Sequence, residues 1–262
     1  MEGTLDGQRV LITGAACGIG AAAAARLAAA GARIAGVDVR PGAGLLCADV
    51  SDRAQARAVV DAAVRRLGGL DVLVNNAGIG APQDAGAFPD DEAHWILQVN
   101  FFGAWNMTAA AMPHLLESCG HVVNIVSGLA LVDFPFAAAY SASKRALEAY
   151  SNILRLEYEG RITVSTVYPG YVPTGIHRRA TSLGAGLEGL ARPETLDQAA
   201  SAVARACAGR PERVALTRRS AVEYWFARHL PGLTARVLGR RLRAALAARP
   251  RPAFLRFPEV RS

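Results

Sequence analysis

A tyrosine and a lysine stand four residues apart, as Tyr140 and Lys144. Residues at positions i and i+4 of a helix share one face, so the two side chains can act together. A nearby ammonium stabilises a phenolate and is expected to lower the pKa of the tyrosine toward the working pH. The chain has six tyrosines but a single lysine, so coincidence is a poor explanation of the spacing. The pair predicts a centre for general acid/base chemistry.

A glycine-rich loop, Gly-Ala-Ala-Cys-Gly-Ile-Gly over residues 14–20, stands between an apolar run and an alanine-rich stretch. Glycines let a backbone approach a pyrophosphate, and the free N–H groups of a following helix attract its charge. The spacing differs from Gly-x-Gly-x-x-Gly, and glycines also serve simple tight turns. The strand–loop–helix context nevertheless favours dinucleotide binding, with these cofactor contacts: Gly14, Cys17, Gly18, Ile19 and Gly20.

Asp38 ends the second predicted strand, 18 residues after Gly20. A carboxylate at this point accepts hydrogen bonds from the adenosine ribose and repels a 2′-phosphate. Neither Cys17 nor Val39 supplies a positive charge, and we expect the side chain of Arg40 to alternate away from Asp38 in an extended chain. The sequence therefore predicts NAD as the cofactor, with an NADP-preferring ketone reductase as the alternative.

Short apolar runs alternate with longer helical patterns along the chain. Strands are predicted over residues 9–13, 33–37, 45–48, 71–75, 121–127, 161–168 and 212–216. Helices are predicted over residues 18–30, 52–67, 90–117, 139–159 and 195–208. Ser51 is the expected N-cap of the second helix and Gly68 its end. This alternation predicts an α/β fold of Rossmann type, a doubly wound parallel sheet. Only about ten residues separate the second strand from Asp49, so a loop is expected there instead of a crossover helix.

The composition indicates one folded domain with an unevenly distributed charge. The chain has 262 residues, 52% of them hydrophobic, which is enough for one sizeable core. Residues 218–262 hold eleven arginines against Glu223 and Glu259, so the remaining chain is close to neutral and a nucleic-acid-binding surface is not expected. Four cysteines without a Cys-x-x-Cys pair and five histidines without ligand spacing predict no disulfide framework and no metal site.

The beginning of the chain does not have the pattern of a signal peptide. No apolar run reaches the roughly 18 residues that a membrane span requires. These two features predict a cytoplasmic location.

Taken together and in order, the motifs resemble those of the classical-type short-chain dehydrogenase/reductase family over about residues 7–216. The matching segments are Thr13-Gly14 through Gly20, Asp49-Val50, Asn75-Asn76-Ala77-Gly78, Asn100, Ser127, Tyr140 with Lys144, and Pro169-Gly170. Ser127 lies 13 residues before Tyr140, the separation that this family uses for its catalytic serine. The resemblance implies an oxidoreductase that moves a hydride between the cofactor and an alcohol or ketone, and an assembly that is a homodimer or homotetramer.

The resemblance also implies a role for each matching residue. Tyr140 is the expected general acid/base, and Ser127 is expected to hydrogen-bond the substrate oxygen. Lys144 is expected to hold the nicotinamide ribose, and Asn100 to anchor a water in a proton relay, with a satisfied amide at a helix kink as the alternative. Asn75 is expected to be a structural amide between strands. Further cofactor contacts are expected at Asp49, Val50, Asn76, Ala77, Gly78, Pro169, Gly170, Val172 and Thr174.

The expected substrate-facing residues, besides Ser127 and Tyr140, are mostly apolar: Leu129, Leu131, Phe134, Phe136, Tyr171 and residues 176–190. Some of them are equally compatible with the core, and His177, Arg178 and Arg179 offer a contact for a carboxylate. An apolar pocket predicts a hydrophobic secondary alcohol or ketone on an alicyclic, terpenoid, steroid-like or polyketide skeleton. The alternative of another class is a dinucleotide-binding regulator without turnover, against which the complete set of serine, tyrosine and lysine argues.

The end of the chain departs from the family, which usually closes with a strand carrying Asp-Gly-Gly. We expect a catalytic domain over residues 1–217 and a basic amphipathic helical tail over residues 218–262. An apolar stripe is formed by Leu233, Leu238, Leu242, Ala245 and Leu246, while Arg236, Arg240 and Arg243 lie off it. Such a helix can dock on the body, cover the pocket, meet another subunit or make peripheral contact with an anionic membrane surface.

Overall fold

In the computed structural model, residues 5–186, 190–247, 252, 254 and 255 are described. Seven parallel strands within these ranges form one sheet in the order β3-β2-β1-β4-β5-β6-β7. The strands are β1 (Arg9–Thr13), β2 (Arg33–Asp38), β3 (Leu46–Cys47), β4 (Val72–Asn75), β5 (His121–Ile125), β6 (Thr163–Tyr168) and β7 (Arg213–Ala215). The predicted doubly wound parallel sheet is therefore confirmed.

Helices cover both faces of the sheet. The helices are α1 (Gly18–Ala29), α2 (Arg53–Leu67), α3 (Asp91–Leu97), α4 (Ala104–Glu117), α5 (Ala138–Glu157), α6 (Arg178–Ser182), α7 (Leu196–Gly209), α8 (Arg218–His229) and α9 (Pro231–Ala247). Helices α2, α4 and α5 share one apolar core with the sheet, and α1 and α7 share the other. Both faces are buried, which explains the continuously apolar strands.

Two local predictions around α2 have different outcomes. Ser51 is not the N-cap, because the side chain of Asp52 accepts the first free N–H groups of the helix. Ser51 instead donates its hydroxyl to Asp49 at 2.7 Å. A carboxylate one residue closer to the helix satisfies two donors at once, so it takes the cap. Gly68 ends α2 in the left-handed conformation, with φ of 78°, as predicted. Residues 39–45 link β2 to β3 without a helix, which is also as expected.

The single helix predicted over residues 90–117 is interrupted. A π-helical turn, Gln98–Gly103, separates α3 from α4. Within it, the amide of Asn100 exchanges hydrogen bonds with the backbone of Ile79, at 2.8 Å and 2.9 Å. Gly103 packs so closely on Val50 that a Cβ would lie 2.7 Å from its methyl group. These two contacts stabilise the extra residue of the π turn. Such π turns are frequent at functional sites.

The tail folds onto the body as α8 and α9. Arg228 of α8 donates to Glu148 of α5 and to the hydroxyl of Tyr168 at the end of β6. The ring of Tyr224 lies 6.1 Å from that of Tyr168. Leu242 of α9 is 6% exposed, so part of the predicted apolar stripe is buried. The side chain of Leu246 lies outside the described residues. Among the described residues no helix combines the length and the apolar character needed to cross a membrane.

Candidate active site

The glycine loop joins β1 to α1 and leaves no room for side chains. A Cβ on Gly14 would lie 2.8 Å from the amide nitrogen of Asn76, and Gly14 also has a φ of 67°. A Cβ on Gly20 would meet the carbonyl oxygen of Gly14 closer than real Cβ contacts occur. Cys17 caps α1 without a side-chain hydrogen bond, so the first N–H groups of the helix stay available for an anion.

A hydroxyl fixes this loop against the next strand. Thr13 Oγ1 accepts the backbone N–H groups of Asn76 and Ala77, both at 3.0 Å. The side-chain amide of Asn76 donates back to the carbonyls of Thr13 and Gly14, at 2.9 Å and 3.2 Å. Asn75, one residue earlier, ties β4 to β5 through Asn124 at 2.8 Å. The predicted cofactor residues 76–78 therefore lie beside the glycine loop, and Asn75 is the structural amide expected.

Asp38 and Arg40 form an ion pair at the end of β2. The Arg40 guanidinium lies 3.2 Å from the carboxylate and also donates to Cys17 Sγ at 3.0 Å. The expectation that Arg40 points away is wrong, because positions i and i+2 of an extended chain lie on the same side. Burial raises the pKa of Asp38, but backbone N–H groups of Arg40 and Ala16 and the Arg40 side chain hold that pKa below its ordinary value. The carboxylate is thus ionised at the point expected to meet an adenosine ribose.

Tyr140 and Lys144 share one face of α5, as their spacing predicts. The Lys144 ammonium lies 5.8 Å from the centre of the Tyr140 ring. Ser127, which is 6% exposed, stands at the end of β5, where its hydroxyl accepts the N–H of Leu129 at 3.1 Å. Ser127 is also close enough to Tyr140 to influence the pKa of its hydroxyl. A side chain from the end of β5 and two from α5 therefore meet in one place.

The electrostatics of this group differ from the expectation. Burial raises the pKa of Tyr140, although the hydrogen bond from Ser127 opposes the rise. Burial also lowers the pKa of Lys144 to about 8. Lys144 is 3% exposed, and its ammonium donates to the carbonyl of Ile125 at 2.9 Å. The expected lowering of the tyrosine pKa is thus absent from the protein alone, because burial outweighs the distant ammonium.

Asn100 is fully engaged within the protein. Besides its two bonds to Ile79, its amide donates to Ser143 Oγ at 3.0 Å, one residue before Lys144. A Cβ on Gly78 would lie 3.3 Å from the Asn100 amide oxygen and 3.5 Å from the Lys144 ammonium. Asn100 therefore adjoins Lys144, as a proton relay requires, and is also the satisfied amide at a helix irregularity that the alternative interpretation described.

A cleft of about 1550 Å³ connects the glycine loop to the Ser127–Tyr140–Lys144 group. Among the predicted cofactor residues, those lining it are Gly14, Cys17, Gly18, Ile19, Asp38, Asp49, Val50, Asn76, Ala77, Gly78, Pro169, Gly170, Val172 and Thr174. Gly20 lies behind the loop. Leu129, Phe134 and Tyr171 line the cleft as expected, as do Ile176 to Arg179 and Leu190. Residues 187–189 of the predicted substrate segment lie outside the described residues.

Residues 180–186 of the predicted substrate segment do not line the cleft, and two further predicted pocket residues lie elsewhere. Leu131 packs against the core shared by α2, α4 and α5. Phe136 has a φ of 65°, and its ring contacts Phe254 at 5.5 Å. The mostly apolar stretch after Ser127, which contains only one charged residue, Asp133, carries no periodicity that separates pocket from core, so the sequence could not distinguish them.

Several cleft residues escaped the sequence reasoning. Glu194 accepts the N–H of Gly170 at 2.7 Å and so fixes the Pro169-Gly170 turn. The hydroxyl of Tyr224 occupies the space that a side chain at Gly128 would need. Helix α9 adds a further set of lining residues: Leu233, Thr234, Val237, Leu238, Arg241, Leu242 and Ala245. The predicted stripe indicated a buried face but could not show that the face borders this cleft.

The residues fit a dinucleotide. A glycine cradle, free helix N–H groups and an ionised carboxylate at the end of β2 supply what a pyrophosphate and a ribose require. Within the described residues no group of histidine, cysteine, aspartate or glutamate side chains has the arrangement of a metal site.

Substitution of Gly20 by alanine tests the glycine cradle. Because the new Cβ would collide with the Gly14 carbonyl, we expect Gly20→Ala to destabilise the fold by about 1–3 kcal/mol. The displaced loop should also bind dinucleotides more weakly. Chemical denaturation and calorimetric titration measure the two effects. Gly232→Ala is the matched control, since nothing lies within 4 Å of its new Cβ. Equal stability and affinity in both variants would contradict the cradle.

Known proteins resemble this chain both in sequence and in fold. The short chain dehydrogenase family pattern matches residues 8–183. A 1-deoxy-11-beta-hydroxypentalenate dehydrogenase of Streptomyces avermitilis is 36% identical over 195 residues, 66% of this chain and 72% of that protein. A gluconate 5-dehydrogenase of Burkholderia cenocepacia, solved with NADP and tartrate, is 30% identical with a TM-score of 0.70, covering 78% of this chain and 88% of the other.

A 3-ketoacyl-(acyl-carrier-protein) reductase of Brucella melitensis, solved with NADH, has a TM-score of 0.70 and 29% identity. The superposition covers 82% of this chain and 99% of that one. The predicted family is therefore confirmed: this chain belongs to the short-chain dehydrogenases, which are oxidoreductases that use a nicotinamide dinucleotide.

Proposed function

We propose that the protein is an NAD-dependent dehydrogenase that interconverts a hydrophobic secondary alcohol and its ketone. The observation that carries this proposal is the meeting of Ser127, Tyr140 and Lys144 in the cleft that also contains the glycine loop. A protein that only binds a dinucleotide has no need of a buried lysine beside a tyrosine, so turnover distinguishes the enzyme from a regulator.

Tyr140 moves the proton. In alcohol oxidation its phenolate oxygen takes the proton of the substrate hydroxyl, and in ketone reduction its hydroxyl returns a proton to the carbonyl oxygen. Ser127, which lies close enough to Tyr140 to lower its pKa, binds the same substrate oxygen and fixes its position. A bound oxidised nicotinamide would supply the hydride acceptor, and its positive charge would oppose the rise in the Tyr140 pKa.

Lys144 is placed to hold a ribose while remaining charged. An ammonium has three donors, and the carbonyl of Ile125 accepts one of them. Two donors remain for ribose hydroxyls. With a pKa of about 8 the ammonium is mostly protonated at neutral pH. The protonated Lys144, 5.8 Å from the centre of the Tyr140 ring, favours the phenolate, although burial opposes this in the protein alone. Asn100, whose amide is held by Ile79 and Ser143, lies next to Lys144 where a water-mediated relay of the released proton would pass.

Replacement of Tyr140 by phenylalanine tests the proton transfer. Tyr140→Phe keeps the ring but removes the titrating oxygen, so turnover should fall by about 10²–10⁴-fold while NAD still binds. Steady-state rates and calorimetric binding of NAD measure the two effects. Tyr158, a half-buried tyrosine that does not line the cleft, provides the control: Tyr158→Phe should keep its rate. Near-normal turnover of Tyr140→Phe rules out the assigned role.

The pH dependence follows from the same assignment. Oxidation needs Tyr140 without its proton, so kcat/KM for the alcohol should rise with pH, while kcat/KM for ketone reduction should fall. Lys144→Met removes the positive charge that favours the phenolate, and this should move the rising limb to higher pH. Lys144→Arg should also be impaired, because a planar guanidinium does not reproduce the contacts of a compact ammonium.

The choice of NAD rests on the ionised carboxylate of Asp38. It repels a 2′-phosphate, and it engages the neighbouring Arg40 guanidinium. The Arg40 side chain was expected to point away from Asp38, but it pairs with that carboxylate. Its guanidinium is the group that would bind the 2′-phosphate in an NADP-preferring enzyme. The relatives do not decide between the cofactors, since one is solved with NADP and another with NADH.

Paired substitutions separate the effect of the Asp38 carboxylate on cofactor choice from that of the Arg40 guanidinium. We expect the wild-type protein to bind NAD more tightly than NADP. Asp38→Ala removes the repulsive charge and releases Arg40, so it should shift the preference toward NADP. Asp38→Ala combined with Arg40→Gln should lose NAD selectivity without gaining NADP affinity. Calorimetry with both cofactors measures each preference, and tighter binding of NADP by the wild type would reverse the assignment.

A hydrophobic substrate is supported by the wall of the cleft. Leu129, Phe134, Ile176 and Trp95 line the same cleft as Tyr140, together with the apolar residues of α9. The relative from Streptomyces avermitilis is named for a hydroxypentalenate, which is consistent with an alicyclic or terpenoid skeleton. Steroid-like and polyketide skeletons fit the same apolar wall.

A second copy of the chain is the expected partner. Helices α4 and α5 and the π turn expose a set of apolar side chains, Phe102, Trp105, Ile153 and Leu156, at 40% or more. The ring of Trp105 lies 4.8 Å from that of Tyr150, so the two helices present one continuous surface. Members of this family are commonly oligomeric, and an exposed patch of this kind favours association as a homodimer or homotetramer.

Mass in solution tests this interface. Leu156→Arg places a charge in the patch and should dissociate the assembly, as light scattering would show. Phe88→Arg is the control, since Phe88 is 98% exposed but lies outside the patch. A monomeric wild type, or an unchanged mass for Leu156→Arg, would contradict the proposed interface. Contact of the tail with anionic lipid and the cytoplasmic location stay predictions, which vesicle flotation and cell fractionation measure.

A further inference from the structure

One face of helix α9 lines the cleft. Its lining residues fall into two rows with a spacing of four, one of which is Leu233, Val237, Arg241 and Ala245. Leu233 and Val237 are 55% and 47% exposed even though they border the cleft. Apolar surface open to an internal cleft is suited to an apolar ligand. One charged residue, Arg241, interrupts this row. It lies about 6 Å along the helix axis from Val237 on one side and from Ala245 on the other.

The carboxylates along the cleft already have partners. Glu92 pairs with Arg179 at 2.9 Å, and Glu223 pairs with Arg219 at 2.7 Å. Glu194 accepts the N–H of Gly170. The remaining ones are held too: Asp133 by Arg145, Asp38 by Arg40, and Asp49 by Ser51. The acidic side chains of the cleft therefore offer little attraction for a substrate cation.

Three cleft arginines have no such partner. Within the described part of the chain, no ion pair or side-chain hydrogen bond joins Arg178, Arg192 or Arg241 to another residue. Arg178 follows the turn that begins at Thr174, beside Gly18, so the phosphates of a dinucleotide account for a positive charge there. Arg241 is different, because it stands on α9 within an apolar row.

We propose that the substrate is an amphiphile whose apolar body lies against α9 and whose carboxylate binds Arg241. The proposal rests on the proposed dehydrogenase function and names the class of alcohol: a hydrophobic hydroxy acid, with the corresponding oxo acid as product. A guanidinium binds a carboxylate through two parallel hydrogen bonds, so it fixes the orientation of the skeleton as well as its charge. Arg241 is thus a specificity-determining residue, while Tyr140 and Ser127 act on the hydroxyl.

Matched acids and esters test this inference. Cholate and 12-hydroxystearate, one ring-shaped and one chain-like, are each compared with the methyl ester, which keeps the skeleton and removes the charge. Binding to the NAD-loaded protein is measured by calorimetry, and kcat and KM are measured from cofactor reduction. We expect at least one acid to bind about ten- to hundredfold more tightly than its ester, as a charge-assisted hydrogen bond allows.

Variants of α9 locate the effect. Arg241→Gln should abolish the preference for the acid, chiefly by raising KM, and should leave both the ester and NAD affinity unchanged. Arg240→Gln is the matched control, because Arg240 is exposed on the same helix but does not line the cleft. It should retain the preference. Arg241→Lys should restore part of it, since the charge remains without the bidentate geometry.

The outcomes separate this inference from the function on which it rests. Turnover of acid and ester with equal kcat/KM would uphold the dehydrogenase and overturn the carboxylate site. A preference for the acid that survives in Arg241→Gln, or failure of both acids to bind, would overturn it as well. Tight binding of an acid through Arg241 with no oxidation of either skeleton would uphold the site and count against the dehydrogenase.

Discussion

The hydroxyl of Thr13 accepts two backbone N–H groups from the segment after β4 and so joins that segment to the end of β1. The end of the sheet at which the predicted cofactor residues lie depends on this junction. It joins the ends of β1 and β4, the neighbouring strands between which the chain changes direction across the sheet. A crevice opens at such a point in doubly wound folds. The amide of Asn76 closes the junction from the other side, so Gly14 and Gly20 have no space for a side chain. The loop is therefore shaped before any ligand arrives.

The burial of Lys144 is a second constraint, and it opposes stability. An ammonium that is 3% exposed and bonded to a carbonyl lacks a compensating carboxylate, which is why its pKa falls to about 8. The core tolerates this because α5 is anchored by Leu147, Tyr150 and Leu154 on the same side of the sheet. Strongly shifted groups in a cleft are typical of functional sites. Arginine occupies all the other Lys/Arg positions of the chain, and the single lysine, Lys144, lies at a buried position of the candidate site.

The parts of the fold that the sequence predicted are those governed by local patterns. Continuous apolar runs located the strands, and the fixed spacing of Tyr140 and Lys144 placed both on one helix face. The errors arose where distant residues decide the local structure. The π turn depends on bonds between Asn100 and Ile79, which are 21 residues apart, and no helical periodicity encodes them. The error at Arg40 was one of geometry, since an extended chain brings positions i and i+2 to the same side. The substrate wall was the least predictable part, because α9 meets the cleft only through tertiary packing.

The tail is part of the site rather than an appendage to it. The hydroxyl of Tyr224, on α8, fills the space beside Gly128 and comes within 3.3 Å of where a Cβ on Gly170 would lie. These glycines belong to the loop after Ser127 and to the Pro-Gly turn, so both segments of the candidate site are shaped around a residue of the tail. Arg228 secures the same helix to Glu148 and Tyr168. Once α8 is held there, α9 follows after one residue and lies against the open side of the cleft. The body of the fold thus contributes the glycine loop and the Ser127–Tyr140–Lys144 group to the cleft, and the segment that departs from the family pattern contributes a further wall of that cleft.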